Sequence, residues 1–343
     1  MRFLGMDLFL ISKHRTALMG IAAIMILLCH SAPRISMPPA IAYPLSFLNI
    51  GVDIFLFLSG MGIYYSLYYL EQTGHGGVMY WYSKRYIRIL IPYFFIVIPF
   101  CGISMLIEGS EWKEIIMYTS TLSFWTDHTG FWYIALILPL YLVSPLLYRF
   151  FENKGIIKLL IVFIGCIIIA LIPVKNSGLS STIFVNIQFA IVRVPSYLFG
   201  MVLAPRIING GKISFAGLVF MCFAALISLF FTKHLVFTYA LMVLPILILL
   251  VNILDKLGGS KSYSICNFFG QISLESYLFN GAIQIYIIWL MSFLGLPDYN
   301  NIVMYTLVVS VGTVLAVVVN RISRKIKGSK SLSNRRFSEI LNK

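Results

Sequence analysis

The chain has 343 residues, 59% of them hydrophobic and only 11% charged, with a formal net charge of +14. A soluble chain carries about a quarter charged residues, and no single core hides this much apolar surface, so composition excludes a soluble globular protein and implies a polytopic membrane protein. The basic residues lie mostly in short loops on one side of the apolar runs and in the C-terminal tail, with no dense recognition helix. The positive-inside bias of membrane proteins accounts for them, and nucleic acid is not an expected partner.

Apolar runs of bilayer-crossing length, ~17–25 residues, fall in chain order at 16–32, 47–70, 87–107, 131–151, 156–173, 183–204, 213–231, 235–253, 268–294 and 302–320. The predicted fold is all-α, a polytopic membrane helix bundle of about ten transmembrane helices. The short gaps after Phe231 and Leu294 predict tight hairpin turns. Residues 1–325 are expected to form one integral membrane domain, with 326–343 as a basic cytoplasmic tail lying on anionic lipid. No internal repeat or soluble domain stands out. Leu28 is too bulky before Cys29 for lipoprotein-type cleavage and no small-x-small pair follows cleanly, so the first segment is expected to be retained.

An even number of spans puts both termini on one side. Of the 26 lysines and arginines, the opposite side holds only Arg34, Lys113, Lys175 and Lys233, and Arg193 is left inside a span. The basic side, which carries Arg2, is therefore expected to be cytoplasmic. Cys29, Cys101, Cys166, Cys222 and Cys266 are scattered singly in or beside apolar runs. They have neither metal-ligand spacing nor a disulfide pattern, and read as reduced packing residues with no metal site.

The first run sets the functional question. Lys13, His14 and Arg15 precede it, and Cys29 and His30 close it. At a helical rise of 1.5 Å per residue, Arg15 and His30 lie roughly 22 Å apart along the axis. Between the spans, 108–130 is expected to be the longest outer loop, with Glu108, Glu111, Glu114 and Asp127 against Lys113, plus Trp112, Trp125 and His128. Two readings fit it: a sugar-contacting loop, or interfacial aromatic anchors.

Polar groups inside spans are costly and mark function; here they include His30, Asp53, Arg193 and Glu275. His30 and Asp53 fall near the outer ends of successive helices, where an aspartate bonded to an imidazole would make a general base. The alternative is a helix-end histidine and an aspartate favoured by a helix N-terminus. Lys84, Arg85 and Arg88 open the third span, with Arg88 on the helix face of the other two, suited to an anionic, phosphate-bearing ligand or to lipid phosphates. Arg193, with Pro195 two residues on, requires a counter-charge, a cavity or a ligand, and Glu275 is a candidate partner. Ser59–Gly60 and Gly62 read as small residues for close helix packing.

Six motifs in order then resemble the family-3 membrane acyltransferases, bacterial enzymes that O-acylate cell-surface carbohydrates. They are LMGIAAIMILLCH ending at His30, GVDIFLFLSGMGIYYS at 51–66, KRYIRILIPY at 84–93, FWYIALILPLYLVSPLLY at 131–148, VRVPSYLFG at 192–200 and GQISLESYLFN at 270–280. Two positions depart from the family pattern. Met19 stands where many members have an arginine eleven residues before the histidine, with Arg15 one turn away. Asn280 stands where the late helix often carries a histidine.

The resemblance implies a multi-pass protein of the bacterial cytoplasmic membrane that moves an acyl group, usually acetyl in this family, from cytoplasmic acyl-CoA to a hydroxyl of an extracytoplasmic cell-surface glycan or lipid-linked sugar. Acetyl-CoA is then a co-substrate and no permanently bound cofactor is expected. Arg15, Lys84, Arg85 and Arg88 would hold the donor phosphates, and His30 would act as base or acyl carrier with Asp53 orienting it. Ser59, Trp132, Arg193 and Glu275 are candidates for stabilising the oxyanion or positioning substrate. Residues after Asn320 are expected to form a basic tail, and the membrane unit is then expected to carry out the transfer itself or with a separate protein. The rival reading is a proton-coupled transporter or flippase, which buried Asp, Glu, Arg and His would suit. Paired halves with matching broken helices are not seen.

Overall fold

A computed structural model describes residues 5–74, 76–174, 178–232, 236–293, 295 and 302–326. In chain order the helices are α1 (Phe9–Lys13), α2 (Arg15–Ser31), α3 (Pro39–Ser46), α4 (Gly51–Thr73), α5 (Gly77–Glu108), α6 (Trp112–Thr119), α7 (Leu122–Asp127), α8 (Trp132–Phe151) and α9 (Gly155–Leu171). The second half supplies α10 (Leu179–Ile191), α11 (Val194–Ile208), α12 (Phe215–Thr232), α13 (Val236–Lys256), α14 (Lys261–Gln271), α15 (Ser273–Phe293) and α16 (Ile302–Ile326). A 3₁₀ turn, Phe47–Ile50, joins α3 to α4. The short strands β1 (Met6–Asp7) and β2 (Lys212–Ile213) pair antiparallel, with Met6 opposite Ile213.

The protein is all-α in its membrane architecture, and among the described residues seven helical stretches are long and apolar enough to cross a bilayer. The apolar helices α2 and α9 have 17 residues each. Every predicted run coincides with a helix or a helix pair, because uniformly apolar segments must satisfy their backbone internally. This is a multi-pass membrane protein.

Several expectations change in detail. The run 183–204 is broken at Val192–Arg193, with Pro195 in the first turn of α11. Proline lacks the N–H that would continue the ladder and disfavours helical geometry just before it. The run 268–294 is interrupted at Ile272, between α14 and α15. The segment 108–130, expected to be an outer loop, is largely helical, forming α6 and α7. Phe124 from it is buried, so burial of its apolar residues organises what the charges make look like a loop. The hairpin turns placed after Phe231 and Leu294, the charges Arg2, Lys175 and Lys233, and the tail from 327 lie outside the described residues.

At the centre stands α4, buried over most of its length. Its partner is α11, and reciprocal glycines bring the two backbones together. A Cβ at Gly60 would sit 1.9 Å from the Tyr197 carbonyl oxygen, and one at Gly200 1.9 Å from that of Phe57. A second crossing of the same kind joins α2 to α14. There Gly20 would meet the Cys266 oxygen at 1.7 Å and Gly270 that of Thr16 at 1.9 Å. Small residues allow this approach, and dispersion between closely packed backbones stabilises it in a solvent as apolar as the side chains. Around this centre α9 and α12 bury almost nothing, with Cys166 the buried residue of one and Leu218 and Ala225 those of the other. At one end of the bundle Lys13 and the buried His14 both reach Asp255 at the end of α13, at 2.6 and 3.0 Å. The hydrogen bond to Asp255 holds the Lys13 ammonium above its usual range.

Candidate active site

Two groups of polar side chains, one at each end of α2, face the interior. At the first end Arg15 opens α2 and lies in the field of Arg88 and Arg85 from α5. Its Nη2 donates to the Leu58 carbonyl at 3.2 Å, and its Nε is buried without a partner. The guanidinium fits because Gly62 has no side chain, a Cβ there falling 2.8 Å from Nη2. Gly62 therefore makes room for a cation, a role distinct from the helix packing expected of it. Arg85 also stacks near Trp81, 6.0 Å from the ring centroid. Arg15 and Arg85 are both surrounded by protein atoms yet retain accessible surface. Lys84 is exposed, with Nζ 4.2 Å from the Tyr80 ring centroid.

From this cluster a line of hydroxyls leads along the interior. Tyr141 lies in the field of both Arg15 and Arg85, and Tyr133 in that of Tyr141 and Arg88. The Tyr133 hydroxyl is 3.4 Å from Ser59 Oγ. The Tyr133 backbone N–H donates to the Tyr277 hydroxyl at 3.3 Å, and the two rings meet edge to face at 5.6 Å. Tyr277 then lines a small cavity with Ala23, Phe55, Ser273, Ser276 and Asn280. Ser59 thus belongs to this interior line.

At the far end of α2, His30 is half-buried. Its Nδ1 is 2.6 Å from Nδ2 of Asn280, a residue that lines the cavity. Arg34 holds Asn280 in turn: Nη1 donates to Oδ1 at 3.1 Å and Nη2 to the backbone oxygen at 3.5 Å. Arg34 also faces the Tyr305 ring at 5.8 Å, and its partial burial lowers its guanidinium from the usual arginine value, with Tyr305 acting the other way.

Asp53 is the main correction. It is fully buried in the first turn of α4 and is engaged away from His30. One oxygen accepts from Arg193 Nη1 and the other from Ser196 Oγ at 2.6 Å. The counter-charge of Arg193 is therefore Asp53, where Glu275 was the candidate. Glu275 instead accepts from Asn320 at 3.0 Å, towards the C-terminal end of α16. The break before α11 explains the choice. It places Arg193 just ahead of α11 and Ser196 three residues later, both facing the start of α4 across the tight glycine crossing. Arg193, 1% exposed, is enclosed by the rings of Tyr239 at 5.0 Å and Trp132 at 5.9 Å. Trp132 thus packs on the Arg193 side of the Asp53–Arg193 pair.

His128 and Trp125, read as sugar contacts or anchors, dock the α6–α7 segment onto α10: His128 Nδ1 lies 2.5 Å from Asn186 Oδ1, and Asn186 Nδ2 donates to the Trp125 carbonyl at 2.9 Å. Trp112 stays exposed. Among the described residues no group of His, Cys, Asp and Glu has metal-site geometry.

Sequence reasoning missed Arg34 and Tyr277 and set Asn280 aside. Arg34 follows His30 by four residues, the spacing of neighbours on a helix, and was visible for that reason. Asn280 and Tyr277 carry no local signal, since only the packing of α15 against α2 and α8 brings them here.

A protein-family model described as an acyltransferase domain matches residues 17–321. No curated protein and no solved structure matches the chain.

Proposed function

Because the chain belongs to this acyltransferase family, as a membrane-embedded member of it, we propose that it moves an acetyl group from cytoplasmic acetyl-CoA to a hydroxyl of an extracytoplasmic cell-surface carbohydrate. The observation that carries this reading is the polar line joining Arg15 and Arg85, through Tyr141, Tyr133, Ser59 and Tyr277, to a cavity lined by Asn280, the partner of His30. Cations kept together inside a membrane protein repel one another unless an anion joins them. A pyrophosphate has the charge and the paired oxygens that the planar guanidinium fork binds bidentately. In this reading Arg15, Arg85 and Arg88 hold the donor phosphates, with Lys84 at the entrance.

The reading takes ten spans, with both termini and the tail 326–343 cytoplasmic, in a bacterial inner membrane. The pantetheine arm follows the hydroxyl line and presents its thioester in the cavity. The acceptor hydroxyl approaches His30 from outside. As its oxygen attacks the thioester carbonyl, an imidazole nitrogen takes its proton, the C–S bond breaks, and the departing thiolate recovers a proton. Ser59 and Tyr277 offer the hydroxyls nearest the carbonyl as it gains negative charge. Asp53, Arg193 and Trp132 support the site by fixing α4 against α11.

The test is purified protein in liposomes with radiolabelled acetyl-CoA and a surface-glycan extract. Label transfer that disappears in His30→Ala and persists in Cys29→Ala is the expected result. Movement of unmodified glycan with no dependence on CoA would replace the transferase with a carrier.

A further inference from the structure

Asn280 departs from the family pattern, yet its hydrogen bonds restrict the chemistry of His30. A guanidinium only donates, so the Asn280 atom facing Arg34 Nη1 at 3.1 Å must be the carbonyl oxygen. That orients the amide nitrogen towards His30, whose Nδ1 lies 2.6 Å away. An amide nitrogen donates and does not accept, so Nδ1 must be the unprotonated nitrogen and the ring proton must sit on Nε2. Each bond in the chain forces the next, and its origin is a residue with one possible role.

We infer that Asn280, oriented by Arg34, is a positioning residue that fixes His30 as the neutral Nε2–H tautomer, with its lone pair at Nδ1. This rests on the transferase reading for its meaning and on hydrogen-bond direction for its content. The acceptor's proton must then arrive at Nδ1, the atom that the amide N–H covers in this structure. The acceptor hydroxyl therefore takes over the amide's place as donor to Nδ1, and Nε2–H remains a donor throughout. The groups facing His30 are the Arg34 guanidinium and the Asn280 amide, with Tyr305 donating to the Leu27 carbonyl on the same turn and the Cys29 thiol turned to the Ser46 carbonyl. No carboxylate among the described residues takes the orienting role that Asp53 was expected to fill.

The test needs no substrate. In protein labelled with ¹⁵N-histidine, the resonances lost in His30→Gln identify this ring among the five histidines, and their one-bond couplings show which nitrogen bears hydrogen. Wild type should show hydrogen on Nε2 alone. In Asn280→Asp a carboxylate faces Nδ1 and accepts, so the proton should move to Nδ1. Arg34→Gln, which can present either amide end to Asn280, should give both tautomers and serves if Asn280→Asp does not fold. A proton on Nδ1 in wild type, or an unchanged tautomer in both variants, overturns the inference. Kinetics supply the second readout: Asn280→Asp should lower kcat by tenfold or more with the KM for acetyl-CoA unchanged, whereas a merely structural loss would alter both. If no acyl transfer is found in wild type, the spectroscopic result still stands by itself and the transferase reading is what fails.

Discussion

Arg193 and Arg15 are both arginines placed among apolar helices, and the fold treats them in opposite ways. Arg193 is sealed from solvent, paired with Asp53 and covered by the rings of Trp132 and Tyr239. Arg15 keeps accessible surface, shares its space with Arg85, and among the described residues neither has a carboxylate partner. A buried charge that is structural must be neutralised within the chain, because an unpaired ion in a low dielectric costs several kcal/mol. A charge that binds a ligand must be left for the ligand to neutralise. The comparison separates architecture from site without reference to position in the sequence.

The largest effect is expected from breaking the sealed pair. Asp53→Asn leaves Arg193 uncompensated and should destabilise the protein by about 3–5 kcal/mol, seen as lost accumulation in membranes and early melting in detergent. The double replacement Asp53→Leu with Arg193→Met should restore folding, since apolar groups of similar volume replace a buried pair at little cost. Transfer activity in that double variant would confirm that Asp53 is architectural; a folded but inactive one would return it to the chemistry.

A smaller and different effect is expected at the open cluster. Arg15→Gln and Arg85→Gln should leave melting nearly unchanged or raise it, because each relieves repulsion among neighbouring cations. Each should raise the KM for acetyl-CoA about tenfold to a hundredfold, the value of one charge-assisted hydrogen bond. Marked destabilisation by either would place these arginines with Arg193 and remove the distinction. The smallest effect should come from Lys13→Met. Its ion pair with Asp255 is half exposed on both sides, and exposed pairs contribute little. Neither melting nor transfer should change measurably.

The same contrast shows how much was legible beforehand. The membrane class, the helical runs and the location of the basic residues follow from composition and periodicity, because a bilayer permits few solutions for an apolar segment. The family follows from motif order. Residues such as Arg15, Arg85 and His30 stood out as polar groups at the ends of apolar runs. The pairing of Asp53 did not, since a carboxylate in an apolar run signals only that some partner exists. His30 was nearer in sequence, yet Arg193, far along the chain, is the partner.

The amino-acid sequence by itself determined the solvent this protein folds in, where its helices run and which few polar residues it holds at depth, since each of these depends on local hydrophobicity alone. Tertiary structure decided which polar groups meet. Glycines at 60 and 200 let α4 and α11 touch, and that contact brings Arg193 to Asp53. The packing of α15 brings Asn280 to His30. Hydrogen bonds and ion pairs act over about 3 Å, a scale that only the packed helices define.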